Sequence, residues 1–169
     1  MKAKLIIEGK EFLIEIHDQE LQKILTSQKK TGYERVGAGQ TYWMQDMDDS
    51  ACWTTEQIRY DKNNEDYNCA NYYSSEIIAK NNARADKLLR QLRRFAIEHR
   101  KYDLDWSNLV CQKFSIYYDY TKQRLEIACN HRDRHLFNIY FDSDVVANAA
   151  IETFHDELIW YFTEYKDSL

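Results

Sequence analysis

The same junction between a short strand and a helix occurs twice in this chain, 68 positions apart. Tyr72 and Tyr73 in the first copy align with Tyr140 and Phe141 in the second. After one further residue, each pair is followed by serine, an acid, two branched apolar residues and alanine. A serine before the first turn can cap a helix, and an acid beside it interacts favourably with the positive helix end. We therefore expect an internal duplication of a hairpin, a short strand and a capped helix.

Each copy contains the periodicities that such a unit requires. Apolar residues recur at helical spacing up to about His99 in the first copy and about Tyr165 in the second. Alternating residues predict a hairpin from strands 113–119 and 124–129, with an equivalent hairpin near 42–44 and 51–54. Two such units most economically form an α+β fold, with one antiparallel sheet and two long helices on one face.

The rest of the chain divides around this duplicated domain. We assign residues 41–169 to the domain, with halves 41–101 and 110–169, and residues 30–40 to a polar, glycine-containing linker. Residues 1–29 predict a small ββα appendage, with strands 4–7 and 11–16 and a helix over 19–27. So short a piece cannot fold alone, and a homodimer is one arrangement that would give it a surface to pack on.

The first long helix is strongly basic. Between Lys80 and Lys101 there are eight cations and two acids, whereas the whole chain carries a net charge of −5. Such a stripe is either a solvated helix face or a contact for phosphates or an acidic protein. The candidate contact residues are Arg84, Lys87, Arg90, Arg93 and Arg94.

An acidic, asparagine-rich segment forms the opposite pole of the charge distribution. It reads as turn and loop, and a presented row of carboxylates there could instead imitate a nucleic-acid backbone and occupy a basic groove. The candidate partner-binding residues of this acidic pole are Asp46, Asp48, Asp49, Glu56, Asp61, Glu65 and Asp66.

No catalytic motif stands out, so we expect a protein that is not an enzyme and needs no cofactor. The glycines at 32, 37 and 39 precede a strand, whereas a phosphate-binding loop places them before a helix. Cys129, His131 and His135 are residue types that zinc accepts, but their spacing fits no standard zinc motif, and whether they bind a metal is left open. The longest apolar runs are too short to span a bilayer, and Glu8 interrupts any signal-peptide core, so we expect a cytoplasmic protein without a membrane partner.

Several local sequences are familiar as a set. They are Thr31 to Val36, Tyr42-Trp43, Asn71-Tyr72-Tyr73, Asn82 to Leu88, Leu92 to His99, Asp105-Trp106 and Asp156 to Phe162. Together they resemble a widespread group of small proteins from prophages and mobile elements of Gram-positive bacteria, over nearly the whole chain. Members of that group usually have a glycine where this chain has Ala70.

The resemblance implies a setting and no individual functional residue. Small accessory phage proteins without catalytic motifs are often inhibitors of host defence, including anti-CRISPR proteins. We therefore expect a phage-encoded binding protein that acts in the bacterial cytoplasm. It would inhibit a defence effector such as a CRISPR-associated nuclease by blocking a nucleic-acid or partner surface. The alternative is a nucleic-acid-binding accessory factor of phage replication or transcription, although a pI near 5.6 argues against a dedicated nucleic-acid binder.

Overall fold

The computed structural model describes residues 2–7, 10–15, 30–46, 51–56, 61–136 and 138–167. The strands are β1 (Lys2–Ile7), β2 (Lys10–Glu15), β3 (Thr41–Gln45), β4 (Ala51–Thr55), β5 (Lys113–Asp119) and β6 (Arg124–Asn130). The helices are α1 (Asp61–Asn68), α2 (Glu76–His99), α3 (Asp144–Thr153) and α4 (His155–Thr163). The predicted α+β class is confirmed, and none of these helices has the length and apolar composition needed to cross a bilayer.

The expected single sheet is wrong for the described strands. They form antiparallel pairs, β1 with β2, β3 with β4 and β5 with β6, without a ladder between hairpins. The free edge of each later hairpin is occupied instead by the segment before the next helix. Trp43 bridges to Tyr73, and Phe114 bridges to Phe141, through backbone hydrogen bonds of 2.8–2.9 Å. The bridges lie on the outer edges of β3 and β5.

The strands of the N-terminal hairpin differ slightly from their predicted bounds of 4–7 and 11–16. Ile7 pairs with Lys10, so Lys10 belongs to β2 and not to the turn. The helix expected over 19–27 lies outside the described residues.

The long helix α2 confirms the prediction of a helix ending at about His99, and it contributes to two hydrophobic cores. Near its start, Ile78 and Ala79 pack with Tyr73 against Trp43 of the β3–β4 hairpin. Farther along, Leu88 and Leu92 belong to a larger core with Phe141, Val146, Ala147, Ala150 and Leu158. The same helix therefore joins the two halves of the chain.

The second long helix was expected to be continuous, and this expectation is wrong. It is divided into α3 and α4 at Phe154, whose φ and ψ are −116° and 23°. Just before the break, the Thr153 hydroxyl donates to the carbonyl oxygen of Ala149 at 2.7 Å, an interaction that tends to bend helices. Phe154 packs edge-on against Phe95, with ring centroids 5.6 Å apart. The predicted serine cap is present at the start of α3, where Ser143 Oγ accepts from the Val146 amide at 3.3 Å, whereas Ser75 at the start of α2 makes no side-chain cap hydrogen bond.

Helix α1 occupies part of the segment expected to be an acidic loop. Its composition is poor for a helix, so tertiary contacts overcome its weak intrinsic propensity. Tyr67 packs edge-on against Tyr72, and Asp66 accepts a hydrogen bond from the Tyr42 hydroxyl at 2.8 Å. The helix ends at Asn68, and Ala70, two residues beyond, has a left-handed φ of 59°.

The segment predicted as a linker has no regular secondary structure, but it is fixed to the domain. Gly32 is buried with φ +97°, and its carbonyl accepts from the Ser74 amide at 2.7 Å. The Glu34 carboxylate accepts from Thr31, Gly32 and the Ser74 hydroxyl. The Thr31 amide is the largest of the causes that lower the pKa of Glu34 to about 2.

Candidate partner-binding surface

The acidic pole is only partly available to a partner. Asp46 and Glu65 are exposed, and Asp61 begins α1. Asp48 and Asp49 lie outside the described residues. Glu56 and Asp66 have contacts within the chain, which weakens the prediction that all seven acids form a presented row.

Glu56 is the clearest correction, because its side chain is buried and only 6% of the residue is exposed. One carboxylate oxygen accepts from Arg35 Nε at 3.1 Å and Nη2 at 2.8 Å, and the other accepts from the Tyr72 hydroxyl at 2.8 Å. The Val36 amide in turn donates to the Tyr72 hydroxyl at 3.0 Å. A buried carboxylate requires such partners, so Glu56 holds the 30–40 segment to the domain and is not presented to solvent.

Asp66 is half-buried beneath a pair of stacked tyrosines. The rings of Tyr42 and Tyr72 lie 4.0 Å apart, and the Tyr42 hydroxyl donates to Asp66. Burial, followed by the hydrogen bond to Asp66, raises the pKa of Tyr42 well above its ordinary range. Burial is also the largest cause that raises the pKa of Tyr72 to about 12. These phenols therefore remain neutral donors, and Asp66 stabilises the fold of this half.

The basic residues of α2 do not share one face. At about 100° per residue, the five candidate positions spread over roughly half of the helix circumference. Arg84 and Lys87 face a broad groove towards the junction of α3 and α4, which is also lined by Glu152 and Asp156. Arg93 lines a different groove. Lys87, Arg90 and Arg94 lie within about 60° of one another, so the helix presents a short row of three exposed cations, with Arg84 and Arg93 at its two margins.

Arg84 is neutralised within the chain. Its Nε and Nη2 atoms donate to the two oxygens of Glu157 at 2.8 and 3.0 Å, and its guanidinium carbon lies 3.9 Å from the centre of the Trp160 ring. The hydrogen bond to Glu157 is the main cause of the raised pKa of Arg84. Arg94 has a looser ion pair with Glu98, at 3.9 Å. Lys87 and Arg90 are both exposed on the helix.

Arg93 faces a groove that we call the Trp106 groove, with a volume of about 270 Å³. It is lined by Arg93, Ala96, Ile97, Leu104, Trp106, Arg134, Asn138, Ile139 and Tyr140. The guanidinium carbon of Arg134 lies 5.5 Å from the centre of the Trp106 ring, and Tyr140 packs edge-on against that ring at 4.8 Å. In the described part of the chain, neither Arg93 nor Arg134 forms an ion pair with a carboxylate.

The loops around the Trp106 groove are held by a buried lysine. Lys113 is fully buried, and its Nζ donates to the carbonyl oxygens of Asn108, Cys111 and His131 at 3.1, 2.8 and 3.5 Å. The same atom lies 5.1 Å from the centre of the Trp106 ring. One ammonium group thus joins the loop after α2 to the loop after β6, which fixes the groove without the entropy cost of ordering it on binding.

A second set of contacts fixes the loop that carries Arg134. The His135 amide donates to the Tyr140 hydroxyl at 2.7 Å, and that hydroxyl donates to the Asp133 carbonyl at 3.4 Å. Sequence reasoning missed this groove because its two arginines lie 41 positions apart in the chain. The available signal was the dense run of histidines and arginines from His131 to His135, which we had considered only as a source of metal ligands.

The cysteine and histidines considered as metal ligands do not assemble a complete site in the described structure. Cys129 Sγ and His131 Nε2 are 3.5 Å apart. Over the described ranges, no cluster of three or more histidine, cysteine or acidic side chains could hold a metal ion.

No protein family, curated protein or solved structure matches this chain.

Proposed function

We propose that this chain is a phage-encoded binding protein that inhibits a bacterial defence effector, and that the Trp106 groove contacts an acidic surface of that effector. The resemblance to prophage proteins supplies the biological setting. The groove supplies the contact, and the proposed action is occlusion of the partner surface in the bacterial cytoplasm, not catalysis.

The observation that carries the proposal is the pairing of Arg93 and Arg134 around one indole ring. Tryptophan, tyrosine and arginine are the residues that most often dominate binding energy at protein interfaces. Trp106 and Tyr140 provide a rigid apolar floor, while the two guanidinium groups can form bidentate hydrogen bonds with carboxylates. Because Lys113 fixes the loops in advance, the groove is already formed before a partner arrives.

An acidic protein segment fits this groove better than a nucleic acid does. A volume of about 270 Å³ accommodates one or two side chains, whereas a nucleic-acid track needs a continuous row of cations. On α2, Arg84 is bound to Glu157 and Arg93 turns towards the Trp106 groove, which leaves only a short row of three cations, Lys87, Arg90 and Arg94.

The acidic pole is a weaker candidate for the contact. Asp46 and Glu65 are exposed, but Glu56 and Asp66 serve the fold. A row of carboxylates that imitates a nucleic-acid backbone would need more than two presented acids among the described residues.

The test compares a double variant of the two groove arginines with a single variant of Arg94, the neighbour of Arg93 on α2. Phage plating would be measured on bacteria that carry an active CRISPR nuclease and express the chain. Arg93→Gln combined with Arg134→Gln is expected to abolish protection of the phage. Arg94→Gln, the matched control on the same helix, should protect as well as the unchanged chain, because its ion pair with Glu98 is exposed and contributes little.

A binding measurement separates the two kinds of partner. Fluorescence anisotropy with a labelled oligoglutamate peptide should show affinity falling by roughly 10- to 100-fold for each arginine lost, as expected for charge-assisted hydrogen bonds. A DNA duplex would be measured in parallel at increasing salt. Tight, steeply salt-dependent DNA binding without peptide binding would favour the nucleic-acid accessory factor instead. Unchanged phage protection by the double variant would refute the proposed contact.

We also infer that the halves 41–101 and 110–169 arose by duplication. In support, Tyr73 and Phe141 occupy aligned positions and make the same kind of bridge, and Ser75 and Ser143 both stand at the N-cap of the following helix. Helix α2 packs against the β3–β4 hairpin, and α3 packs against the β5–β6 hairpin. An experimental structure in which the two bridged hairpins fail to superpose would contradict the inference.

A further inference from the structure

A second concave site, which we call the apolar cavity, lies between α2, α4 and the hairpin of β5 and β6. Its volume is about 380 Å³. Leu88, Leu89 and Leu92 of α2 and Leu158, Tyr161 and Phe162 of α4 supply most of its helical lining. Ser115, Ile116, Tyr117, Ala128 and Asn130 line it from the hairpin, and His135, Asn138, Ile139 and Phe141 line it from the segment after β6.

No lysine, arginine, aspartate or glutamate is found among the described residues that line the apolar cavity. Moving an ionised group into such surroundings is costly, because the wall is largely apolar and supplies no fixed opposite charge to offset the lost hydration. The cavity therefore selects against charged ligands.

Two hydrogen-bonding groups on the hairpin remain available to a ligand. Asn130 Nδ2 donates to Ser115 Oγ at 3.0 Å, and Ser115 is almost fully buried. Among the described residues, no hydrogen bond uses the Ser115 hydroxyl hydrogen or the Asn130 side-chain oxygen. The cavity thus presents one donor and one acceptor beside a largely apolar wall, which is the usual composition of a small-molecule site.

We propose that the apolar cavity binds a neutral, largely apolar small molecule with one polar end. A cavity of about 150 Å³ accommodates benzene. A volume of 380 Å³ therefore suits a molecule with two or three rings, or a short chain of similar bulk. Ser115 and Asn130 bind its polar end, and the leucines of α2 and the aromatic residues of α4 enclose its apolar part.

The test uses two probes with the same ring skeleton and different charge. N-phenyl-1-naphthylamine is neutral, and 1-anilinonaphthalene-8-sulfonate adds one sulfonate. The neutral probe is expected to bind saturably with one site per chain, and the sulfonate at least tenfold more weakly. At ten times its Kd, the neutral probe should raise Tm by about 3–6 °C. Equal affinity for the two probes, or no saturable binding of the neutral one, would overturn the proposal.

Methyl NMR locates the bound probe without any substitution. With the neutral probe, the methyl signals of Leu89, Ile116 and Leu158 should shift together and saturate at the Kd measured by fluorescence. The exposed methyls of Ile77 and Val145 serve as the internal control and should not move. Shifts confined to Ile77 and Val145 would indicate adsorption to the surface and would refute the assignment.

A filling variant supplies an independent check. Ala128→Phe places a ring in the cavity and is expected to lower probe affinity at least tenfold. Val145→Phe, at a position that is 72% exposed, should leave the affinity within twofold. If Ala128→Phe fails to fold, the NMR measurement on the unchanged chain decides the proposal. A folded Ala128→Phe variant that binds the neutral probe with full affinity would refute it.

Discussion

Replacing Ala70 with glycine should stabilise this protein, although the change removes a methyl group. Ala70 stands just past α1 with a left-handed φ of 59°. Its amide donates to the Tyr67 carbonyl at 3.1 Å, and the Asn71 amide donates to the Asp66 carbonyl at 3.0 Å. This pair of bonds is the Schellman motif, in which glycine is the favoured residue at the left-handed position.

The magnitude follows from two opposing contributions. A left-handed conformation costs an L-residue roughly 1–2 kcal/mol, and glycine avoids this cost. Glycine also gains freedom in the unfolded chain, which removes about 0.4–1 kcal/mol of stability. Ala70 is exposed, so little packing is lost with its methyl group. The net gain in the free energy of unfolding should be about 0.5–1 kcal/mol, or roughly 1–4 °C in Tm for a chain of this size.

Equilibrium urea unfolding, followed by tryptophan fluorescence, measures this change. The matched control is Ala149→Gly within α3, where the backbone is helical and the substitution should destabilise by about 1 kcal/mol. Ala70→Gly and Ala149→Gly are therefore expected to move the urea midpoint in opposite directions. If both lower it equally, the left-handed residue does not limit stability and our account of the end of α1 is wrong.

Three further predictions concern particular side chains. Since the pKa of Glu34 falls from 4.5 to about 2 on folding, its carboxylate stabilises the fold above about pH 4.5 and loses that effect towards pH 2. Glu34→Gln should flatten the pH dependence of urea unfolding in that window, and an unchanged slope would contradict the assignment. Gly32→Ala should destabilise by about 2 kcal/mol or more, measured by urea unfolding, because the new Cβ would lie 2.8 Å from Ile78 Cγ1 at a φ of +97°. Lys113→Met should lower the free energy of unfolding by about 2 kcal/mol and alter Trp106 fluorescence, because three carbonyl oxygens lose a cationic donor. Unchanged tryptophan emission would contradict the conclusion that Lys113 holds the loops around Trp106 in place.

The sequence patterns correctly predicted those elements that are stabilised mainly by residues close together in the chain. Helix α2 and the hairpin of β5 and β6 follow from apolar spacing that acts within each element. The cap at Ser143 follows in the same way, because the serine and the Val146 amide are three residues apart. The helix within the acidic, asparagine-rich segment was not predicted, because it depends in part on Tyr42, which lies 24 positions before its hydrogen-bond partner Asp66.

The candidate site was less accessible to sequence reasoning. Charge counting found α2 but could not show that Arg84 is bound by Glu157, 73 positions away. It also could not show that Glu56 is buried against Arg35 and Tyr72. Whether a charged side chain faces solvent or pairs with another residue depends on which distant segments pack beside it. Neither the composition nor the hydrophobic periodicity of the sequence contains that information.

Helix α2 belongs to two cores, and this limits how the chain can vary in length. One residue inserted between Ala83 and Leu88 would rotate everything beyond it by about 100° and advance it by about 1.5 Å. Ile78 could then keep its place only if Leu92 left its own. Insertions and deletions near the middle of α2 should therefore destabilise the protein even where every inserted side chain would be tolerated in a helix. The length of this stretch sets the spacing between the two cores.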